Sequence, residues 1–246
     1  MLMQLSCGCC ENPGGVIYAD YFRTILSSNY APAKDALETI SGATVTQLLP
    51  TSLGDLADCE IYCLGCFGRQ TGAFPFNGGI MTLNSTQRGI IADWVNAGGK
   101  LLCCVEYRLL LDGGGFVITR QTEPSFYTDL ATLISDAGGS LTFGAEDLTT
   151  GSFPTAVPKD VFLSDPWTTG NTGEVEYDRD HGSSITNGTQ LFAPDARNTI
   201  VKQQCGSGWV ICFGSQNTLW GNKDAGQSVP TGYVAMTQFL QFLYDL

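Results

Sequence analysis

The sequence predicts an α/β protein with a mainly parallel sheet, helices on both of its faces, and added β-hairpins. The first observation is a unit that recurs three times: a helical stretch, a glycine stop and a short apolar strand. It occupies residues 32–48, 84–105 and 124–143. Glycine ends a helix because it adopts left-handed backbone, and a strand after each helix is the crossover that winds a parallel sheet.

Two further observations support this fold class. The joints at residues 96–101 (NAGGKL) and 136–141 (DAGGSL) are nearly the same, as expected for repeated helix-to-strand turns. Residues 59–67 (CEIYCLGCF) form a nearly continuous apolar run. Such runs are typical of the buried centre of a parallel sheet, where neither face of the strand meets water.

The first unit predicts a helix over residues 32–41, a stop at Gly42 and a strand over residues 43–48. Before it, residues 1–6 are a candidate first strand. Residues 16–26 are apolar and fit either a strand or a helix, since a short apolar run has no decisive period.

The second unit begins with a helix capped by Asn84, with Gln87 as the return half of a capping box. Its strand is expected over residues 100–105. Between the apolar run and this helix, residues 68–81 are rich in Gly, Phe and Asn and predict a surface loop. The third unit begins with a helix at Pro124. We expect the mainly parallel sheet to include strands at residues 43–48, 61–65, 101–105 and 141–143.

Two hairpins are expected outside these units. Residues 109–111 and 116–118 are apolar runs on either side of an Asp-Gly turn, a strong hairpin signal. Residues 199–203 and 209–214 flank Gly-Ser-Gly in the same way, and we expect this second hairpin to pair with the sheet.

We expect one domain over residues 1–246, interrupted by an irregular insertion at about 144–198. In that stretch the composition shifts to Thr, Ser, Asn, Gly, Asp and Pro, and the periodicity fades. Residues 233–246 return to helical spacing and predict a closing helix.

Composition excludes several classes of function. The 246-residue chain has a formal net charge of −12, and its 12 basic residues are scattered, whereas phosphate binding needs clustered Lys and Arg. We therefore expect no nucleic-acid partner. No apolar run approaches the roughly 20 residues of a membrane span. Residues 1–7 lack a basic segment followed by a long apolar one, so we expect synthesis in the cytoplasm.

Ten cysteines are unusual in a chain of this kind. Cys63, Cys103 and Cys212 lie inside apolar strands, and free cysteine packs there as a small hydrophobe. We expect these thiols to be buried and reduced, with no metal and no cofactor. Disulfides, or a zinc site joining residues 7–10 to residues 63–66, are the alternatives.

Residues 53–105 and 206–217, with the helix that follows, resemble the class I glutamine amidotransferase-like superfamily. The matching features are the run LADCEIYCLG at residues 56–65, the helix-to-strand segment WVNAGGKLL at residues 94–102, and GSGWVICFGSQN at residues 206–217. The likeness is strongest to its uncharacterised, often non-catalytic members, which include trehalose-utilisation-type domains. The resemblance implies a flavodoxin-like fold.

Catalytic members of this superfamily carry a cysteine on a sharp strand-to-helix turn, with a histidine and an acid from a later loop. Here the matching strand exits into Glu106, and a hairpin follows instead of a helix. Cys104 would need a shift in register, and Cys66 lies one strand too early. The chain has one histidine, His181. An enzyme of the cysteine hydrolase or amidotransferase type would use Cys66 or Cys104 with His181, and this reading is the alternative to a non-catalytic protein.

A small ligand is a further alternative. Glu106 and Arg108 follow the strand at its carboxyl end, where α/β sheets place ligands, although a structural ion pair is the simpler explanation for them. Gln216 and Asn217 follow the second hairpin in the same manner. A sugar-binding module at this edge would use these four residues.

The expected function is that of a non-catalytic structural or interaction protein. Its partners would be other proteins or copies of itself, and a phage or virus particle fits the acidic loops rich in Thr, Asn and Gly. Clustered apolar residues in loops mark interfaces, because such a patch is costly to leave in water. The predicted interface residues are Phe74, Phe76, Leu110, Leu111 and Phe116.

Overall fold

The structure is a computed structural model of the 246-residue chain. It describes residues 16–19, 31–64, 83–104, 110–112, 115–117, 124–146, 155–156, 175–176, 183–192, 200–213, 243–244 and 246. The candidate strand at residues 1–6 and the loop at residues 68–81 lie outside these ranges. Of the predicted closing helix, the described residues Leu243 and Tyr244 are helical.

The described residues form three α-helices, one 3-10 helix and thirteen strands. The helices are α1 (Ala31–Ser41), η1 (Leu53–Leu56), α2 (Ser85–Asn96) and α3 (Pro124–Asp136). The strands are β1 (Val16–Ala19), β2 (Val45–Gln47), β3 (Cys59–Leu64), β4 (Lys100–Cys104), β5 (Leu110–Asp112), β6 (Gly115–Val117), β7 (Thr142–Glu146), β8 (Thr155–Ala156), β9 (Val175–Glu176), β10 (Ser183–Thr186), β11 (Thr189–Phe192), β12 (Ile200–Cys205) and β13 (Gly208–Phe213).

A seven-stranded, mostly parallel sheet is the centre of the described structure. Its order is β11-β12-β13-β4-β3-β1-β2. The five strands from β13 to β2 are parallel to their neighbours, whereas β12 and β11 extend one edge in antiparallel fashion. The parallel strands predicted at residues 43–48, 61–65 and 101–105 are thus confirmed, and the apolar stretch after residue 16 begins as a strand.

The fourth predicted strand of this sheet, at residues 141–143, was wrong. β7 instead pairs antiparallel with β10 in a separate two-stranded sheet, with Thr142 opposite Thr186 and Phe143 opposite Ile185. The place beside β4 is taken by β13, which hydrogen-bonds along the whole of β4. Because this side of β4 is already hydrogen-bonded to β13, the strand after α3 cannot pair with β4 there.

Gln203 of β12 ties this small sheet to the large one. Its side-chain oxygen accepts a hydrogen bond from the Ser140 backbone at 2.7 Å, and its amide donates to the Asn187 carbonyl at 2.7 Å. Asn187 adopts a φ of 68° in the turn between β10 and β11. The left-handed conformation is one that asparagine tolerates better than most residues.

Both predicted hairpins are confirmed. β5 pairs antiparallel with β6, and β12 with β13. The second hairpin joins the sheet through β13, as expected. Short strands β8 to β11 occur within residues 144–198.

The predicted glycine stops are confirmed. Gly42, Gly98 and Gly138 have φ values of 69°, 129° and 88° directly after the three helices. At the end of α2, Gly98 N–H donates to the Val95 carbonyl and Gly99 N–H to the Trp94 carbonyl, both at 3.0 Å. This pair of bonds is a Schellman motif, which satisfies carbonyls that the helix leaves without partners. α3 ends in the same way.

The beginning of α2 matches the predicted capping box. Gln87 N–H donates to the Asn84 side chain at 3.0 Å, and Asn84 N–H donates to the Gln87 side chain at 2.9 Å. One turn further on, Arg88 contacts both carboxylate oxygens of Asp129 in α3 at 3.2 Å. Its guanidinium also donates to the Leu83 carbonyl at 3.0 Å, which fixes the start of α2 against α3.

Both faces of the large sheet are shielded from solvent. Tyr62 and Leu101 belong to a buried cluster that also contains the inner residues of α2 and α3. Their strand neighbours Ile61 and Leu102 are equally buried but lie outside that cluster. Because successive residues of a strand point to opposite faces, the two sets occupy the two faces.

The turn of the β12–β13 hairpin packs directly on the end of α2. Ser207 N–H donates to the Asn96 carbonyl at 2.9 Å, and Trp209 N–H donates to the Gly99 carbonyl at 3.0 Å. A Cβ at Gly208 would lie 2.2 Å from the Val95 carbonyl oxygen and 2.3 Å from that of Gly99. The backbones therefore approach so closely that position 208 accepts only glycine without rearrangement.

We expect Gly208→Ala to lower the free energy of unfolding by about 1–3 kcal/mol, because the new methyl group meets backbone that cannot move aside alone. Gly89→Ala is the matched control: nothing lies within 4 Å of a Cβ there, inside α2. It should stabilise the protein by roughly 1 kcal/mol through helix propensity. Denaturant unfolding of both variants measures the difference, and equal effects of the two substitutions would contradict the close approach.

Candidate functional site

Most of the residues that the sequence offered for a site lie outside the described part of the chain. These are Cys66, Phe74, Phe76, Glu106, Arg108, His181, Gln216 and Asn217. Cys104 lies in β4, Leu110 and Leu111 in β5, and Phe116 in β6. The structure therefore brings none of the predicted catalytic or ligand-binding sets together among its described residues.

Cys104 lies in regular strand, at the end of β4. It is the ladder partner of Phe213 in β13, and the pairing of β4 with β13 continues without a shift from Lys100 to this residue. The next described element is strand β5, which starts at Leu110. The described backbone around Cys104 is thus an ordinary parallel ladder.

The described cysteine thiols are buried and free of disulfides. Cys63, Cys103 and Cys212 are fully buried, as predicted, and Cys59 and Cys205 are buried with them. Burial raises the pKa of Cys59 to about 12, with a further contribution from neighbouring Cys63. Burial and the nearby Cys212 raise the pKa of Cys205 to about 11. Such thiols stay protonated near neutral pH and are poor nucleophiles.

Metal ligands do not converge in the part of the chain that the structure describes. No group of three or more His, Cys, Asp or Glu side chains there could hold a metal ion. Among the same residues, no helix is both long enough and apolar enough to cross a membrane.

A cleft of about 830 Å³ lies at the amino ends of β3 and β4. This is the edge opposite to the one where α/β sheets usually bind ligands. η1 forms one wall and the end of α2 forms another. The described lining residues are Leu53, Gly54, Leu56, Ala57, Cys59, Glu60, Trp94, Ala97, Gly98, Gly99, Lys100 and Tyr244.

Asp55 fixes the wall formed by η1. Its carboxylate accepts hydrogen bonds from the Thr51 backbone at 2.6 Å, the Thr51 hydroxyl at 2.9 Å and the Ser52 backbone at 3.0 Å. These bonds lower the pKa of Asp55 below its usual range. They also hold the short helix in place, so that Leu53 stands at the cleft with 49% of its surface exposed.

Gly99 fixes the wall formed by the end of α2. A Cβ there would lie 2.3 Å from the indole of Trp94, so the absence of a side chain lets that ring lie against the backbone of the turn. Trp94 also makes an edge-to-face contact with Tyr62, with ring centroids 6.5 Å apart. The Gly98-Gly99 joint thus has a second role, which is to leave space for the Trp94 ring beside the cleft.

Two charged residues, Glu60 and Lys100, are among the described residues that line this cleft. The Lys100 ammonium donates a hydrogen bond to the Tyr244 carbonyl and lies 5.8 Å from the centroid of the Tyr244 ring. Glu60 differs: its Oε2 atom is buried and has no hydrogen-bond partner among the described residues. Burying a carboxylate oxygen without a donor is unfavourable, and each such group in a folded protein requires an explanation.

Glu60 is not among the site residues predicted from the sequence, although a signal was present. It is the one charged residue in the otherwise apolar run at residues 59–67. A charge inside a buried strand is rarely tolerated without a partner. Its position at the amino end of β3 explains how the strand accommodates it, since the side chain reaches the cleft at the sheet edge.

Comparisons with known proteins support the fold. No protein-family model matches the chain, and no curated protein matches it. The mmIFT52 N-terminal domain is similar in structure, with a TM-score of 0.57 and 10% identity over 93% of this chain and 97% of that one. Cytoplasmic Protein STM3548 from Salmonella typhimurium has a TM-score of 0.55 and 11% identity over 93% and 98%.

A cold-adapted β-galactosidase from Rahnella sp. R3 is also similar, with a TM-score of 0.52 and 11% identity. The match covers 92% of this chain but 30% of the galactosidase. The chain likewise spans 31% of an exo-β-1,4-mannosidase from Opitutaceae bacterium strain TAV5, at a TM-score of 0.44 and 11% identity. At identities near 10%, the neighbours with TM-scores above 0.5 show a shared fold and nothing about activity.

We expect iodoacetamide to label Cys59, Cys63, Cys103, Cys205 and Cys212 at least about tenfold more slowly in the native protein than in guanidinium chloride, because these thiols are buried and protonated. Peptide mass spectrometry assigns each site. Raising the pH from 7 to 9 should speed the labelling of the unfolded chain much more than that of Cys59. Equal native and unfolded rates at Cys103 or Cys212 would contradict the burial of these strands.

Proposed function

We propose that this chain is a non-catalytic structural or interaction protein on a class I glutamine amidotransferase-like scaffold. Strand order supports the scaffold. Numbered along the chain, the five parallel strands of the large sheet stand in the order 2-1-3-4-5. This is the flavodoxin-like order, and it agrees with the fold that the sequence resemblance implies.

Right-handed crossovers support helices on both faces of this sheet. The chain passes from β1 through α1 to β2 in one direction along the sheet, and from β3 through α2 to β4 in the other. The two crossovers have the same handedness but run in opposite directions along the sheet. This combination predicts that α1 and α2 lie on opposite faces of the sheet. Leu37 of α1 is fully buried yet lies outside the cluster that contains the inner residues of α2 and α3, in line with this arrangement.

One observation carries the non-catalytic proposal: the described element that follows β4 is a β-hairpin. Catalysis of the amidotransferase type needs a thiolate at a strand-to-helix turn, where the helix N-terminus stabilises negative charge. Here β5 and β6 come next, and α3 does not begin until Pro124. Cys104 is held in the ladder with Phe213, away from any such turn in the described structure.

The same hairpin favours a role in interaction. A two-stranded sheet is only marginally stable alone in water, and β5 and β6 pair with each other and with no other described strand. Leu110 is the partner of Val117, and Leu111 is the partner of Phe116. Both of these paired positions are therefore apolar on both strands. We propose that one face packs on its own chain and the other on a partner.

The partner is another protein or a second copy of this chain, and the assembly proposed is a phage or virus particle or a similar filament. The net charge of −12 keeps such a protein soluble before it assembles. Synthesis in the cytoplasm is part of this proposal, and two structural neighbours from Salmonella typhimurium are named as cytoplasmic proteins.

We predict that the purified chain releases no ammonia from L-glutamine and that Cys66→Ser and Cys104→Ser leave this result unchanged, because a thiol without a positioned base is not activated. A glutaminase-coupled assay makes the measurement. Ammonia release that is lost in either serine variant but kept in Cys212→Ser would overturn the non-catalytic proposal and would identify the nucleophile.

The interaction role predicts a concentration-dependent increase in mass by light scattering, reduced at least about tenfold in apparent affinity by Leu111→Asp, since a buried charge at an interface is costly. Leu49→Asp is the control, because it makes the same substitution at a leucine of which 40% is exposed and which lies in another part of the chain. A monomer at every concentration would contradict self-association. Equal effects of the two variants would contradict the assignment of the hairpin.

A further inference from the structure

We infer that the outer edge of β2 is a latent interface for a second copy of this chain, and that the Glu38 carboxylate of α1 keeps this edge closed. Among the described strands, β2 is the last one of the large sheet on its side. The proposed interaction role concerns the β5–β6 hairpin, so this inference stands on separate observations and does not depend on that role.

The hydrogen bonds of β2 show which of its backbone groups point outward. The Leu48 N–H, directly after β2, donates to the Ala19 carbonyl of β1 at 2.9 Å. Because the direction of backbone groups alternates along a strand, the N–H groups of Val45 and Gln47 point away from β1. An exposed sheet edge pairs with another strand through groups of this kind.

Glu38 occupies the first of these outward positions. Its Oε1 atom accepts a hydrogen bond from the Val45 N–H at 2.8 Å. The same oxygen contacts the Lys34 ammonium one turn earlier in α1, and the side chains of Lys34 and Glu38 are only 18% and 23% exposed. Because residues four apart lie on one face of a helix, the ion pair holds the carboxylate over the strand. A strand that approached β2 would have to displace this carboxylate.

Ser41 extends the closure toward the start of β2. Its hydroxyl accepts a hydrogen bond from the Ala43 N–H at 3.1 Å and donates one to the Leu37 carbonyl at 2.7 Å. The Ser41 side chain is buried, so these bonds are shielded from water. The last turns of α1 thus supply acceptors to the N–H groups of Ala43 and Val45. Covering an edge with a helix is one way in which natural proteins prevent strand addition.

A second copy of the chain is the occupant that this edge fits. Residues 43–47 (ATVTQ) carry no charge and include three β-branched residues, which favour strands. Two copies can therefore meet here without like charges in contact, although each chain has a net charge of −12. An antiparallel edge is complementary to itself about a two-fold axis. The axis would pair Val45 with the partner's Gln47 and place Thr46 opposite the partner's Thr46.

Glu38→Ala tests the closure, with Glu38→Gln as the conservative variant that keeps an acceptor oxygen. Both are combined with Leu111→Asp, so that the proposed hairpin interface does not contribute. Analytical ultracentrifugation should show dimerisation at least about tenfold tighter for Glu38→Ala than for Glu38→Gln. Asp35→Ala is the control, since Asp35 is an exposed acid of the same helix and its loss changes the net charge equally. Equal association of Glu38→Ala and Asp35→Ala would overturn the inference.

Amide exchange in the wild-type chain tests the closure without any variant, and so also covers the case in which Glu38→Ala unfolds. The Val45 amide should exchange much more slowly than an open edge amide, because it donates to Glu38. Exchange at the open rate would show that the edge is not closed, and the inference would fail.

The two-fold pairing has its own test. Thr46→Cys, added to Glu38→Ala, should give a disulfide between the introduced thiols of two copies when glutathione disulfide is the oxidant, because directly opposed residues of an antiparallel pair are close enough for this bond. Thr39→Cys is the control, at an exposed residue of α1. Dimers without the link at position 46, or equal links at both positions, would overturn the pairing of β2 with its copy.

Discussion

The close contact between the β12–β13 turn and the end of α2 determines how the large sheet is assembled. Two backbone hydrogen bonds, from Ser207 to Asn96 and from Trp209 to Gly99, fix the register of β13 against β4. The glycine at position 208 permits this approach. Once β13 is paired along β4, the sheet extends outward through β12 and β11, and β7 must find its partner elsewhere.

The same joint shapes the cleft at the amino edge of the sheet. The Schellman turn at the end of α2 puts Gly98 and Gly99 on one side of the cleft and lets Trp94 lie flat against the turn. Lys100, the first residue of β4, follows immediately. The joint at residues 96–101 thus ends α2, starts β4, binds the turn of the β12–β13 hairpin and contacts the indole of Trp94. A substitution in this joint therefore affects both the fold and the cleft.

Much of this fold could be predicted because the relevant signals are local. A glycine with left-handed backbone, a capping box and a Gly-Ser-Gly turn are each decided within a few residues. The pairing of β7 could not be predicted in this way, since it depends on which strand reaches β4, and β13 lies about 100 residues further along the chain. Glu60 was missed for a related reason: a charge in an apolar run becomes meaningful only when its surroundings are known to offer no partner.

Amide hydrogen exchange at Ser207 tests whether the hairpin turn packs on the end of α2. Ser207 is exposed and lies in a hairpin turn, where an amide normally exchanges quickly. We expect the Ser207 amide to exchange nearly as slowly as the amides of β13, because the Ser207 N–H donates to the Asn96 carbonyl at the end of α2. Exchange at the rate of a free turn would show that the hairpin does not dock there, and the placement of β13 beside β4 would lose its physical basis.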